Sequence, residues 1–187
     1  MQIKVINQQD CLVSTWSGGT TTQLYIYPEG LTAKDEFLFR ISSATVVPGE
    51  AIFSDFSKYQ RFLTLLKGEM YLQHDSKKAE RINPFEKVFF DGALQTKSYS
   101  DEAIVDFNII WHKELQVPQI EIVDARLEAR RLTCKGHIFI YNYEKNAKIS
   151  FVGQKICSLE AGELLVSKLE NSCEVILEGR LIVLMLK

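Results

Sequence analysis

The chain has 187 residues, 46% of them hydrophobic and 25% charged, with a formal net charge of -2. A chain of this length can bury a core without disulfide or metal staples, and its balanced charge does not draw it to nucleic acid or to an anionic membrane. The longest apolar stretch, Leu181 to Leu186, falls far short of the ~20 residues that span a bilayer, and no apolar run follows the N-terminal lysine; a cytoplasmic protein without a signal peptide is expected.

Strand signals dominate the chain. Residues 23–27 end at Pro28-Glu29-Gly30, and the long β-prone run 37–47 ends at Pro48-Gly49. Residues 61–66 and 70–73 read as a strand, a tight turn at Gly68 and a second strand. Residues 86–90 run to Asp91-Gly92, and 103–111 form a further strand. The polar bridge 112–118 reads as a joint between two halves, 1–111 and 119–187, that share a core. Residues 119–131 fit either a helix or a period-two strand. Short strands then follow at 137–143, 148–152, 155–159, 163–167, 173–177 and 180–186, with turns at Glu144-Lys145-Asn146, Gly153, Ala161-Gly162, Glu170-Asn171 and Glu178-Gly179. Many short strands at regular turn spacing predict an all-β sandwich or barrel.

Polar residues interrupt these strands in a pattern. Arg40 and Ser42 share one face of their strand, Asp106 and Asn108 share one face of another, and Arg61 opens a third. Buried charge is costly unless it is paired and hydrogen-bonded. The face is therefore a solvated sheet surface, a set of internal Arg–Asp pairs, or a polar pocket. The segment Trp16-Ser17-Gly18-Gly19-Thr20-Thr21-Thr22 joins two glycines, which let backbone approach a ligand closely, to a run of hydroxyls. It has neither the lysine of a P-loop nor a dinucleotide fingerprint.

Other chemistries lack their residues. His74, His112 and His137 are far apart, with no HxH pair, and only His74 lies near the Gly68 turn; no metal and no cofactor are expected. Cys11, Cys134, Cys157 and Cys173 show no CxxC spacing and are expected as free thiols, their even number leaving a disulfide open. No GxSxG elbow exists. The basic pairs Lys77-Lys78 and Arg130-Arg131 are too short to track phosphates.

The ordered motifs Trp16-Ser17-Gly18-Gly19-Thr20-Thr21, Tyr27-Pro28-Glu29-Gly30, Phe39-Arg40-Ile41-Ser42, Phe53-Ser54-Asp55-Phe56, Tyr59-Gln60-Arg61, Phe90-Asp91-Gly92 and Asp106-Phe107-Asn108 resemble those of the HutD/Ves family of bacterial cupin-like proteins. The resemblance covers roughly the first 110 residues and is loose beyond them. It departs at a shorter loop, with Ser17 and two glycines after Trp16, and at Gln23 and Gln60, which stand where the family carries acids. It implies an RmlC-like cupin fold of bicupin type, two cupin-like halves in one chain, with a metal-free pocket in the N-terminal half. It also implies a role in control of histidine degradation or in the temperature-stress response, with a ligand such as a formylated glutamate or urocanate and no established catalysis.

Residues and resemblance together point to Trp16, Thr21, Arg40, Ser42, Arg61, Asp106 and Asn108 as binding residues for a small polar or carboxylate ligand. An arginine would grip the carboxylate, Thr21, Ser42 and Asn108 would orient it, Asp106 would orient an arginine, and Trp16 would close the mouth. A sensor or regulator without turnover is the leading expectation. The alternatives are a metal-independent isomerase or epimerase, using Asp106 with Tyr59 or Tyr99, and an interaction module or homodimer formed through the Phe-rich strands.

Overall fold

The structure, a computed structural model, describes residues 2–154 and 156–186. Lys155, the first residue of the expected strand 155–159, lies outside them. Among the described residues every regular element except the 3-10 turn Gln8–Asp10 is a β-strand. In chain order these are β1 (Ile3–Ile6), β2 (Leu12–Trp16), β3 (Gly19–Tyr27), β4 (Phe39–Val46), β5 (Gly49–Ile52), β6 (Tyr59–Lys67), β7 (Met70–His74) and β8 (Glu80–Ile82). They continue with β9 (Val88–Asp91), β10 (Thr96–Ser100), β11 (Ile104–His112), β12 (Gln119–Asn142), β13 (Ala147–Phe151), β14 (Ile156–Leu159) and β15 (Leu164–Leu186). The chain divides into two compact units. One is Cys11–Leu115; the other joins the first ten residues to the stretch from Gln116 onward.

In the unit Cys11–Leu115, a six-stranded sheet of order β2-β3-β4-β11-β6-β9 accompanies a four-stranded sheet of order β5-β10-β7-β8. The named strands pair antiparallel throughout. Val46, Leu63, Leu65 and Ile104 from the first sheet meet Ala51, Met70, Leu72 and Ile82 from the second in one apolar cluster. β4, β6 and β11 are buried nearly end to end, which explains their long apolar runs: a strand covered on both faces loses the alternation of a half-exposed one. The expected turn at Gly68 is present, with φ +81°, but it does not close a hairpin. β6 belongs to the six-stranded sheet and β7 to the four-stranded one, so the chain turns a corner between layers. Five strands give no strong signal in the sequence: β1, β2, β5, β8 and β10. In β10 the inward positions are Thr96, Ser98 and Ser100, so its buried face is polar.

In the other unit two very long strands replace many short ones. The ambiguous segment 119–131 is extended, as the first half of β12. Residues 136–142 of β12 pair on one side with 164–169 and on the other with 181–186. Residues 130–134 instead pair with 173–177, and 119–125 with 179–185. The segment 175–178 also carries β13 and, beyond it, β14. The expected turns at Glu170-Asn171 and Glu178-Gly179 are thus bends inside β15, where it leaves one ladder for the next. The register slips at these transitions, and Gly136 (φ +84°) and Gly179 (φ +118°) accommodate them. Both segments of each long strand feed one core containing Val123, Leu132, Ile138, Leu165, Val175 and Val183.

Candidate functional site

Cross-strand partners in a sheet project to the same face. Arg40 on β4, Ile110 on β11 and Arg61 on β6 are mutual partners and form one row across the six-stranded sheet. Ser42, Asn108 and Leu63 form the next row, and Ala44, Asp106 and Leu65 the one after. β3 adds Thr21 opposite Ala44 and Gln23 opposite Ser42, and β9 adds Phe90 opposite Arg61. The period-two interruptions of three separate strands therefore converge on one patch. Above it lies a cavity of about 350 Å³ whose lining includes Trp16, Thr21, Arg40, Ser42, Arg61, Asp106 and Asn108. All seven residues singled out in the sequence line this one space.

The patch is not a solvated surface. Arg40 and Arg61 are each 6% exposed and Asp106 is 3% exposed. Nor is it a set of closed Arg–Asp pairs. Arg61 donates from Nη2 to Asn108 Oδ1 at 3.1 Å, and Asn108 Nδ2 donates to Asp106 Oδ1 at 2.7 Å. Arg40 donates from Nε to Gln23 Oε1 at 3.0 Å. Among the described residues neither guanidinium hydrogen-bonds the carboxylate, and Arg61 Nε is buried with no acceptor at all. Around Arg61 three rings close in: its guanidinium carbon stands 4.9 Å from the centroid of Phe53, 5.6 Å from Phe56 and 5.0 Å from Phe90. Aromatic faces hold a cation without neutralising it.

Burial sets the electrostatics. It pushes both guanidiniums down to about 10, so they remain charged at neutral pH. Burial also pushes Asp106 up to about 7, against the pull of Arg61, the amide of Asn108, the Ala44 N–H and Arg40. With Asp106 ionised, the buried patch holds two cations and one anion; with Asp106 protonated, the excess grows. At the cavity's outer part the exposed pair Lys34 and Asp55 adds no net charge.

The Trp16–Thr21 hairpin supplies one wall. Trp16 pairs with Gly19 across the turn, and its Nε1 donates to Thr21 Oγ1 at 3.1 Å. The glycines serve this arrangement rather than touching the cavity themselves. A Cβ at Gly18 would meet the Trp16 ring at 2.0 Å, and one at Gly19 (φ +148°) would meet Thr45 O at 2.0 Å. The site also holds residues that the sequence does not mark for binding: Gln23 stands out there only as a departure from the family pattern, and Phe53, Phe56 and Phe90 only as parts of motifs. Aromatic residues in a β-rich chain read as core, and nothing local marks Phe53, Phe56 and Phe90 as neighbours of Arg61, which lies eight, five and twenty-nine residues away from them.

The donor set does not fit the metal that many cupin folds hold. Two guanidiniums and a single carboxylate repel a divalent cation, and among the described residues no cluster of three or more His, Cys, Asp or Glu side chains could ligate one. His74 packs beside Phe90, with its Nδ1 2.9 Å from Thr96 Oγ1. The acid–base pairing of Asp106 with Tyr59 or Tyr99 is not assembled. The Tyr59 hydroxyl accepts the Phe37 N–H at 3.1 Å, while Tyr99 is exposed and donates to Asp101. Neither tyrosine lines the cavity.

These layered antiparallel sheets define a cupin-like all-β protein. Over 100% of this chain and 98% of the other, the structure is similar to a cupin 2 conserved barrel domain protein from Leptotrichia buccalis, with a TM-score of 0.59 at 12% identity. The particular family follows from the sequence: the HutD family model matches residues 8–185, and the chain belongs to that family. An uncharacterised 21.2 kDa protein in the hutC 3′ region of Pseudomonas putida is 24% identical over 177 residues, covering 94% of this chain and 90% of that one. The structure of HutD from Pseudomonas fluorescens SBW25 matches with a TM-score of 0.83 at 22% identity, covering 100% of this chain and 98% of the other.

Proposed function

We propose that this protein binds a small carboxylate-bearing molecule in the Arg40–Arg61 cavity and acts as a cytoplasmic sensor or regulator, without turning the ligand over. The observation that carries the reading is the charge imbalance. Two buried guanidiniums face one cavity, the single buried carboxylate is engaged by Asn108, and Arg61 Nε lacks an acceptor. A carboxylate entering there would accept charge-assisted hydrogen bonds that the fold leaves unmade. Ser42, Asn108 and Thr21 offer polar groups to orient the rest of the molecule, and Trp16 borders the opening. Membership of the HutD family and the hutC-adjacent relative support a setting in histidine utilisation. The two units are read as the two halves of a bicupin. Turnover by an isomerase or epimerase is disfavoured because Asp106 has no tyrosine beside it in the cavity.

Thermal unfolding against a panel of small carboxylates tests this, with urocanate, formylglutamate and formiminoglutamate among them. A ligand at 100 times its Kd stabilises by about 2.7 kcal/mol, which for a chain of this size raises the midpoint by roughly 5–10 °C. A rise that disappears in Arg61→Met is the expected result. A panel that moves nothing removes the proposal.

A further inference from the structure

Cys134 on β12 and Cys173 on β15 are direct cross-strand partners. Residues so placed project to one face with Cα atoms roughly 4.5–5.5 Å apart and Cβ atoms at a similar spacing. A disulfide needs Cα atoms about 4.4–6.8 Å apart and Cβ atoms about 3.5–4.5 Å apart. The Cα ranges coincide and the Cβ ranges meet at about 4.5 Å, so joining the sulfurs asks for χ1 rotation and a small approach of the two strands, with the pairing kept. Both are free thiols. Cys134 is 1% exposed and belongs to the apolar core, while Cys173 is partly exposed and packs against the same core. Its Sγ donates to Glu174 O at 3.4 Å.

The other cysteine of this unit does not compete. Cys157 on β14 faces Ile149 of β13, which faces Leu177 of β15. It thus lies two strands across from β15 and four residues along it from Cys173, roughly 10 Å by 13 Å from strand spacings.

We propose that Cys134 and Cys173 form a modification site, a cross-strand thiol pair that a hydroperoxide converts reversibly to a disulfide. The accessible Cys173 sulfur attacks the peroxide, the O–O bond breaks, and Cys173 becomes a sulfenic acid as one water leaves. The Cys134 sulfur then attacks the Cys173 sulfur, the S–O bond breaks, and the departing hydroxide takes the Cys134 proton as a second water. Two thiols are oxidised and one hydrogen peroxide is reduced. Exposure assigns the roles, since the outer thiol meets the oxidant and the inner one resolves it. Burial, with lesser contributions from Cys173 and Glu121, pushes the Cys134 thiol up to about 11, so Cys134 is not the thiolate that meets the peroxide.

The bond would form where the register slips between Cys134 and Gly136 and where β15 passes from its pairing at Leu169 to its pairing at Cys173. It would fix the bend by which both long strands pass between ladders. It also closes a loop of roughly 40 residues, for which chain-entropy arguments predict a midpoint rise of roughly 5–15 °C.

The test treats the full chain with a small excess of hydrogen peroxide, blocks remaining thiols by alkylation, and maps proteolytic peptides by mass spectrometry without reduction. The expected result is a single linked pair containing Cys134 and Cys173, two hydrogens lighter than the free peptides. Titratable thiols should fall from the four present to half that number, the unfolding midpoint should rise, and dithiothreitol should reverse both. Cys173→Ser, at a partly exposed position, should abolish the link and the rise together. A link between other cysteines, four thiols that stay free, or Cys173 sulfinic acid without a link would each overturn the proposal. The peptide map on the unaltered protein decides the matter even if a variant folds poorly.

Discussion

Replacing Arg61 with methionine separates the demands of folding from those of binding. Arg61 is 6% exposed, and its guanidinium is held near 10 instead of the usual 12.5. The depressed value means that the charged form is disfavoured in the folded state. That cost is present at every pH below about 10, so it is undiminished at neutrality, and it comes to roughly 3 kcal/mol. Methionine removes the cost and fills much of the same volume. Against this, Asn108 Oδ1 loses its donor, worth about 1–3 kcal/mol, and the contacts to Phe53, Phe56 and Phe90 are lost, worth about 1–2 kcal/mol before the thioether restores part of them. The opposing effects nearly cancel. Arg61→Met should shift the unfolding midpoint by no more than about 5 °C in either direction, while the rise produced by a carboxylate disappears. Its neighbour Phe62 is fully buried on the opposite face of β6, and Phe62→Ala should cost about 3–5 kcal/mol. Both are read by calorimetry or circular dichroism melts with and without ligand. If Arg61→Met falls as far as Phe62→Ala, the guanidinium is a structural keystone and the reasoning from uncompensated charge fails.

Three further outcomes follow from the same geometry. Asp106 is pushed up to about 7 from 3.8, so between these values the folded state holds a proton that the unfolded chain gives up; stability should fall as pH rises through this window, and Asp106→Asn should match the parent below about pH 4 and exceed it at pH 8, whereas parallel melting profiles would place the carboxyl in water. Trp16→Phe removes the 3.1 Å bond to Thr21 and should weaken carboxylate affinity roughly 3–10-fold in a calorimetric titration, an unchanged Kd taking Trp16 out of the site. Gly19→Ala drives a Cβ into Thr45 O at φ +148° and should cost at least about 2 kcal/mol in denaturant unfolding; a neutral result would mean that the hairpin can move away at no cost.

What was legible in the chain and what was not have the same physical origin. β4, β6 and β11 announce themselves because burial on both faces demands continuous apolar and β-branched sequence. Against that background Arg40 with Ser42, and Asp106 with Asn108, stand out as paired interruptions at period two. Period two fixes a shared face within each strand, but only register shows that the faces are one face. β10 was invisible because Thr96, Ser98 and Ser100 fill its inward positions, and β5 and β8 are too short to set up a pattern. The long strands were misread for the opposite reason. Glu170-Asn171 and Gly179 do interrupt β15, but the interruption is a slip from one ladder to another rather than a reversal, and a turn residue reports only that local geometry changes. The rings around Arg61 come from β9 and from the segment after β5, so their convergence is set by chain topology and has no local signature.

The charge imbalance in the cavity rests on one neutral side chain. Gln23 accepts from Arg40 Nε at 3.0 Å and donates from its own Nε2 to Leu31 O at 3.0 Å. Of the side chains of that size, only an amide offers an acceptor and a donor on the same end. A glutamate at this position would keep the grip on Arg40 and neutralise it, but its second oxygen would face the Leu31 carbonyl with two acceptors opposed. The Leu31 carbonyl thus selects the amide, and the amide leaves Arg40 charged. Gln60, the second position where an acid gives way to an amide, has no part in this, because it lies beside Asp91, donating to its carboxylate at 3.3 Å. With Gln23 in place, Asp106 is, among the described residues, the one buried carboxylate for two guanidiniums, and it accepts its hydrogen bonds from Asn108 Nδ2 and the Ala44 N–H. Among the described residues no protein group is placed to neutralise this excess of buried positive charge, and the proposed binding of an anion rests on that imbalance.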